Sequence, residues 1–551
     1  MIGVIVNAED RAVAREFFEL FKTPWEFYSE RRHYDVLLST VDGRLDKTAK
    51  LTVCYAGRKL HDEEQDRPVR QQHAVLIYRG DRIPIYGDIV RFPDKNRDLL
   101  IDEESQQCAG YLNHSGNGVL ARIGFDLFGE VRKLLTVGQP TVNAHIPTLE
   151  LHIALLRNLI NECGISVVEI PPVPEGHRFI ACLTHDVDHP SICQHKWDHT
   201  TFGFLYRAVF GSLRNFIQRR MPLRDLVKNW MATLKLPFVH MKLAKDFWRE
   251  FDDRYLELEK DISSTFFMIP FKNYSGASRC GQAPKFRAAR YEARDIASTI
   301  HKLISAGCEV GVHGLDAWMD SSRGREELDE IRDITGVSEI GVRMHWLYYD
   351  EHSPLALEKA GATYDSTIGY NQTVGYRAGT TQAYKPLQAS RLLELPLHAM
   401  DTALFYRSHL GLSPSQARVV LDRMIENAVQ FGGCLTINWH DRSIFPERLW
   451  ETSYRDLLAA LKARGAWFST AGEAVSWFRK RRAAVFETDS TQPGGMSVAA
   501  VSDHEDNLPQ LRLRIHNGRE SCRTGARRSE GYVDGACYKT VNTRVGSEAD
   551  A

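Results

Sequence analysis

The chain has 551 residues, more than one ordinary core accommodates, so two or three domains are expected. Its 70 Lys and Arg balance 71 Asp and Glu, which excludes a general polyanion binder, and no nucleic-acid partner is expected. The cysteines are scattered without a CxxC pair, which points to reduced thiols rather than a disulfide framework or a zinc–cysteine site.

The opening residues, MIGVIVNAEDR, have no basic n-region and no long apolar h-region, so a cleaved secretory signal is not expected. No run of about 18 uncharged apolar residues suggests a membrane-spanning segment. The expected location is the cytoplasm. Residues 1–170 read as a mixed α/β accessory domain. IGVIV (2–6), DVLLS (35–39), KLTVCYA (50–56), HAVLIYR (73–79) and RIPIYG (82–87) have strand character, and 8–22, 119–136 and 147–164 carry helical spacing. No phosphate loop or nucleotide fingerprint occurs there.

From 176 to 484 the pattern changes to short apolar runs alternating with helical segments. The runs are FIACLT (179–184), STFFMIP (264–270), EVGVH (309–313), EIGVRM (339–344), LLELPL (392–397), CLTINWH (434–440) and AWFST (466–470). Such alternation predicts parallel strands with crossover helices, in a barrel or a doubly wound sheet, whose active groups gather at the C-terminal strand ends. Most of these runs do end in a group able to do chemistry: Asp186 and Asp188, His313, Arg343, His398, His440. A helical insertion over 190–260 interrupts the alternation. Between 201 and 245 nine Lys and Arg accompany one acid, Asp225, with aromatic and aliphatic residues interleaved. This pattern fits peripheral association with an anionic inner membrane through 201–245, or a solvated helical hairpin packed on its own domain. The tail, 485–551, lacks apolar periodicity and is expected to be disordered.

The segment LTHDVDHP (183–190) concentrates the chemistry. In an extended strand Asp186 and Asp188 share one face, and His185 and His189 lie on the other as supports. Two carboxylates on one face call for a counter-charge, which a divalent metal supplies while leaving one carboxylate free as a base. In VHGLDAW (312–318), His313 and Asp316 are three apart, the spacing that joins two side chains on a helical turn. Asp188, His313 and Asp316 then form a mixed N/O set suited to Zn²⁺, with Mn²⁺, Fe²⁺ or Co²⁺ as alternatives. His345, Trp346 and Tyr370 are candidates for lining a substrate subsite, with loop packing as the competing reading.

Taken in order, these motifs resemble the polysaccharide deacetylases, the family with the NodB homology domain that is similar to carbohydrate esterase family 4. The resemblance covers about 176–480 and implies a distorted (β/α) barrel. It implies that Asp186 is the catalytic base and Asp188 a metal ligand. It makes His313 the first member of a His-x-x-x-His pair whose second position is here Ala317, with Asp316 as substitute. Arg343 is similar to the arginine that orients the base, Asp365 in YDS to a further motif aspartate, which joins the candidates for the substrate subsite, and His440 to the acid that protonates the departing amine. The HDVDH spelling resembles a subgroup associated with bacterial surface polysaccharides. The implied reaction is metal-dependent removal of N-acetyl groups from an amino sugar in such a glycan or its precursor. An amidohydrolase acting on a small non-sugar amide, and an inactive scaffold in polysaccharide assembly, stand as alternatives.

Overall fold

A computed structural model describes residues 1–41, 49–55, 71–92, 95, 99–115, 118–489, 495–502, 507–518, 536–540 and 544–545. The chain divides into two compact units, one of Met1–Gly176, Tyr376–Leu387 and Trp477–Ala551, the other of His177–Gly375 and Gln388–Ser476.

The first unit is built on a nine-stranded sheet. Its strands are β1 (Ile2–Ile5), β2 (Trp25–Phe27), β3 (Val36–Ser39), β4 (Leu51–Tyr55), β5 (Gln71–Tyr78), β6 (Asp81–Ile89), β7 (Leu100–Asp102), β8 (Cys108–Ser115) and β9 (Gly118–Ile123). The order is β2-β1-β3-β4-β9-β8-β7-β5-β6, parallel from β2 to β9 and antiparallel beyond. Helices α1 (Arg11–Phe21), α2 (Leu127–Thr136) and α3 (Thr148–Glu162) accompany it. The helix expected over 119–136 is a strand followed by a helix. The switch falls at Gly124, where any Cβ would run into the carbonyl of Val90, and α2 begins after the cap that Asp126 makes to the Phe128 N–H. β10 (Val167–Glu169) ends the contiguous part of this unit.

The second unit is a curled parallel sheet forming a distorted (β/α) barrel, as the strand–helix alternation predicts. Its strands are β11 (Phe179–Val187), β12 (Thr265–Met268), a small hairpin of β13 (Ala277–Ser278) and β14 (Gly281–Gln282), β15 (Glu309–Gly314), β16 (Val342–Met344), β17 (Tyr364–Asp365), β18 (Leu393–Glu394), β19 (Ala399–Met400), β20 (Cys434–Asn438) and β21 (Ala466–Ser469). The ring runs β18-β17-β16-β15-β12-β11-β20-β19, with β21 paired to the start of β11. β11 is buried along its whole length, which explains its unbroken apolar start. The helices are α4 (His199–Tyr206), α5 (Ser212–Ile217), α6 (Leu223–His240), α7 (Phe251–Leu258), α8 (Ala297–Ser305), α9 (Ser321–Thr335), α10 (Ser353–Ala360), α11 (Asp401–Phe405), α12 (Pro414–Phe431) and α13 (Glu451–Ala463), and α14 (Ala471–Ala483) starts in this unit and belongs to the first from Trp477 on. The core between sheet and helices includes Phe266, Ile300, Leu328, Ile331 and Trp439.

Much of the tail expected to be disordered lies outside the described residues. Its described part forms β22 (Ala484–Asp489), β23 (Gly495–Ser502), β24 (Arg512–His516), β25 (Ala536–Thr540) and β26 (Arg544–Val545), and β24 pairs antiparallel with β10 and with β25.

Candidate metal centre and active site

Parallel strands deliver their C-terminal residues to one end of the barrel, and the candidate groups meet there. Asp188 lies just past β11, His313 near the end of β15, and His345 directly after β16. One donor atom from each of the three lies within 4.8 Å of the others. His345 Nδ1 is 3.0 Å from His313 Nε2, and each of these nitrogens is 3.4 Å from Asp188 Oδ1.

The hydrogen bonds on the far sides of the rings fix what these atoms present. His345 Nε2 donates to the Arg287 carbonyl at 3.1 Å, and His313 Nδ1 donates to the Arg343 carbonyl at 3.0 Å. A carbonyl can only accept, so in each neutral ring the inward nitrogen is bare. Asp188 Oδ1 is buried and, among the described residues, accepts no hydrogen bond. Burial brings His345 down to about 4, so its ring is neutral near pH 7. Three lone-pair donors therefore converge with no proton assigned between them, an arrangement a cation relieves. Donors about 2.1 Å from a Zn-sized ion stand about 3.0 Å apart in octahedral and about 3.4 Å apart in tetrahedral geometry, so the cluster fits a divalent metal.

Asp316, expected as the third ligand, is not in this cluster. The chain leaves the strand in a bend at 315–316, not a helix, so the three-residue spacing does not bring Asp316 alongside His313. Its carboxylate instead accepts from the Tyr274 hydroxyl and, at 2.7 Å, from the Ala277 N–H. Ala317, at the place of a second motif histidine, is fully buried, and α9 approaches it so closely that a Cβ on Gly324 would come within 3.0 Å of its side chain. There is no room for an imidazole. His345, expected to contact substrate, supplies the ring from the neighbouring strand end. The two residues after it, Trp346 and Leu347, have φ of 63° and 53°, a left-handed backbone unusual for large side chains. That turn begins directly after His345, whose ring lies against His313.

Asp186 sits beside the cluster but is committed elsewhere. Its Oδ1 accepts from Arg343 at 3.0 Å and its Oδ2 from the Asn438 amide at 2.7 Å. Arg343 is fully buried over the Phe267 ring and also donates to Thr184, to the Ser366 carbonyl and to the Ser366 hydroxyl. This lattice aims Asp186 while leaving Asp188 to the metal position. On the opposite side, His440 Nδ1 donates to Asp401 at 2.6 Å, and its Nε2 lies 3.8 Å from Asp188. Burial would lower the His440 pKa, but the Asp401 carboxylate outweighs it, with help from Asp188 and Asp186, and raises it to about 9.

These groups line a cavity of about 450 Å³ whose wall includes Trp346, Tyr348, Tyr406, Arg442 and Arg448. Two expected subsite residues are elsewhere. Asp365 is buried beside Glu394, and burial raises both carboxyls above their usual range. Tyr370 is half-buried and outside the cavity wall. His185, as expected, is a support: it bonds the Trp439 carbonyl and Glu259 between the rings of Tyr255 and Phe266. His189 differs, because the strand ends at Val187 and alternation stops there. It lines the cavity and contacts His195 at 3.1 Å.

Sequence reasoning missed Asn438, Asp401 and Arg287. Asn438 is the last residue of β20, at the C-terminal strand end where active groups gather, a legible signal. Asp401 follows a two-residue strand with no pattern of its own. Arg287 clamps the carbonyls of Leu315 and His345 at 3.1 and 2.9 Å, and nothing local in GQAPKFRAAR announces that.

No protein-family model matches the chain, and no curated protein matches it. Solved structures with a similar arrangement include a probable polysaccharide deacetylase from Pseudomonas aeruginosa PAO1, at 16% identity over 59% of this chain and 98% of that one, TM-score 0.35. Puue allantoinase matches at 16% identity over 56% and 93%, TM-score 0.35. A family 4 acetyl xylan esterase from Clostridium thermocellum, in complex with cobalt, matches at 13% identity over 54% and 91%, TM-score 0.25. Likeness at this level assigns no chemistry. The metal-chelating cluster, with a separately held carboxylate and a charged histidine beside it, is the equipment of a metal-dependent hydrolase.

Proposed function

We propose that the barrel segment, 176–484, is a cytoplasmic metal-dependent deacetylase that removes N-acetyl groups from an amino sugar of a bacterial surface polysaccharide or its precursor, with 1–170 as an accessory domain. The observation that carries this reading is the convergence of Asp188, His313 and His345 next to an Asp186 already oriented by Arg343 and Asn438.

Asp188, His313 and His345 would hold the divalent ion, with Zn²⁺ first and Mn²⁺, Fe²⁺ or Co²⁺ as alternatives. When bound, such an ion acidifies a water and polarises an amide carbonyl. Asp186 takes a proton from the attacking water as general base, and Arg343 keeps its carboxylate aimed. His440, held by Asp401 with Nδ1 protonated, gives the proton from Nε2 to the departing amine. Trp346 and the exposed Phe286, whose rings lie 5.3 Å apart on the cavity wall, offer apolar faces to a sugar ring.

The inactive-scaffold alternative rested on the missing histidine at position 317. His345 removes that argument, because a second imidazole is present at the site from another strand. The test is acetate release from N-acetylated amino sugars and from small amides, by the protein loaded in turn with Zn²⁺, Co²⁺ and Mn²⁺. The reading expects turnover of the amino sugars that Asp186→Asn abolishes. Turnover of small amides alone would replace it with the amidohydrolase alternative, and a metal-loaded protein inert toward both classes would contradict it.

A further inference from the structure

The insertion between β11 and β12 carries a surface that the active site does not use. One continuous helical stretch covers α4, Arg207–Gly211 and α5, and after a turn α6 runs back. The inner side of this hairpin is already satisfied: Phe204, Ala208, Ala232, Leu236, Val239 and Trp248 form a buried cluster of their own. Arg207 pairs with Glu447, and Asn229 accepts from the Glu447 N–H at 2.7 Å, so the hairpin is anchored to the barrel unit.

The outer side is apolar a second time. On the first helical stretch Phe202, Tyr206, Phe210, Leu213 and Ile217 recur at helical spacing and are exposed, Ile217 by 70%. On α6 Leu223, Val227, Trp230, Leu234 and Phe238 do the same, with Met241 just past its end, and Leu234 is 66% exposed. An ordinary surface helix turns its one apolar stripe inward and leaves charge outside. Here both helical stretches carry an outward apolar stripe, far beyond the scattered apolar residues of a normal surface. Basic residues accompany them: Arg224, Lys228 and Lys235 each follow an exposed apolar residue of α6, forming a parallel flank, and Lys242 follows Met241 just past its end.

We propose that the outer face of the 199–243 hairpin docks on an anionic lipid bilayer, lying in the interface with its apolar stripes among the acyl chains and its Lys and Arg against the headgroups. Charge decides the occupant. A second copy would set the same basic flank against itself, with Asp225 as the one acid between 201 and 245 to offset it. An anionic surface complements the whole flank. No helix among the described residues is long and apolar enough to cross a membrane, so the contact is peripheral.

The experiment is co-sedimentation of the full chain with vesicles of phosphatidylcholine alone and of phosphatidylcholine mixed with phosphatidylglycerol. The parallel variants are Arg224→Glu/Lys228→Glu/Lys235→Glu and Val227→Ser/Leu234→Ser/Phe238→Ser. The unaltered chain is expected to pellet with the anionic vesicles and not with the neutral ones. Each basic residue near such a surface contributes about fivefold, so the charge variant should bind about 100-fold more weakly or worse. The serine variant should lose at least about tenfold. Full metal uptake by both variants shows that they are folded. Failure of the unaltered chain to pellet, equal binding by the variants, or a dimer in sedimentation velocity that the serine variant abolishes would each overturn the proposal. Vesicle binding by a chain that takes up no metal would leave the docking surface standing and remove the hydrolase reading instead.

Discussion

At the scale of the residue, the site separates two carboxylates that the sequence places side by side. Asp186 is held by a guanidinium and an amide, and Asp188 is left with a bare oxygen facing two bare imidazole nitrogens. Arg343 makes four hydrogen bonds in different directions, which a lysine cannot reproduce. Arg343→Lys is therefore expected to lower turnover by about 100-fold with metal content unchanged; equal loss of metal would show that Arg343 supports the cluster and not the base. Asp401→Asn should lower turnover by at least about 100-fold, because an amide no longer fixes the Nδ1-protonated ring of His440. Unchanged rates would remove His440 from the proton path. Of these groups, Asp186, Asp188, His313, Arg343 and His440 were legible because each ends or follows an apolar run. His345 was read as a subsite residue because its role depends on a left-handed turn at Trp346 and Leu347, and large side chains do not announce positive φ.

At the scale of the element, the β/α alternation was readable because buried parallel strands are continuously apolar, as β11 and β20 are. β17 and β19 escaped notice because two paired residues carry no periodicity. The helical reading of 119–136 failed because GVLARI pairs as a strand between β4 and β8, and Gly124 separates it from the helix. The loops after β15 and β16 depend on each other through Arg287, whose guanidinium spans carbonyls from both. Arg287→Lys leaves buried carbonyls without donors, a loss of about 2–4 kcal/mol. It should also weaken metal binding about tenfold, since the loop of His345 is no longer clamped. Calorimetry with and without metal checks both effects, and an unchanged metal affinity would show that the turn after His345 holds itself.

At the scale of the whole molecule, the first unit buries two groups whose titration opposes one another. His152, in α3 of the first unit, is fully buried against Phe125 with no hydrogen-bond partner at either ring nitrogen among the described residues. Burial lowers its pKa from 6.5 to about 3. The folded unit thus keeps the ring neutral while the unfolded chain takes up a proton below 6.5. The contribution is intact above that pH and is lost as pH falls from 6.5 toward 3, by up to about 1.4 kcal/mol per unit. Buried Glu130, raised to about 7 by desolvation, slopes the other way between 4.5 and 7. A comparison with His152→Leu isolates the histidine. Measured against the unaltered chain at the same pH, the variant should gain more in melting temperature at pH 5 than at pH 7; an equal change at both pH values would place the acid sensitivity elsewhere.

The account's central claim is that His345, and not Asp316, completes the metal site. Metal content of protein purified without chelator, for the unaltered chain, His345→Ala and Asp316→Asn, tests it most directly. One equivalent of divalent metal is predicted for the unaltered chain and for Asp316→Asn, with a loss of at least about tenfold in affinity for His345→Ala. Metal retained by His345→Ala and lost by Asp316→Asn would contradict it.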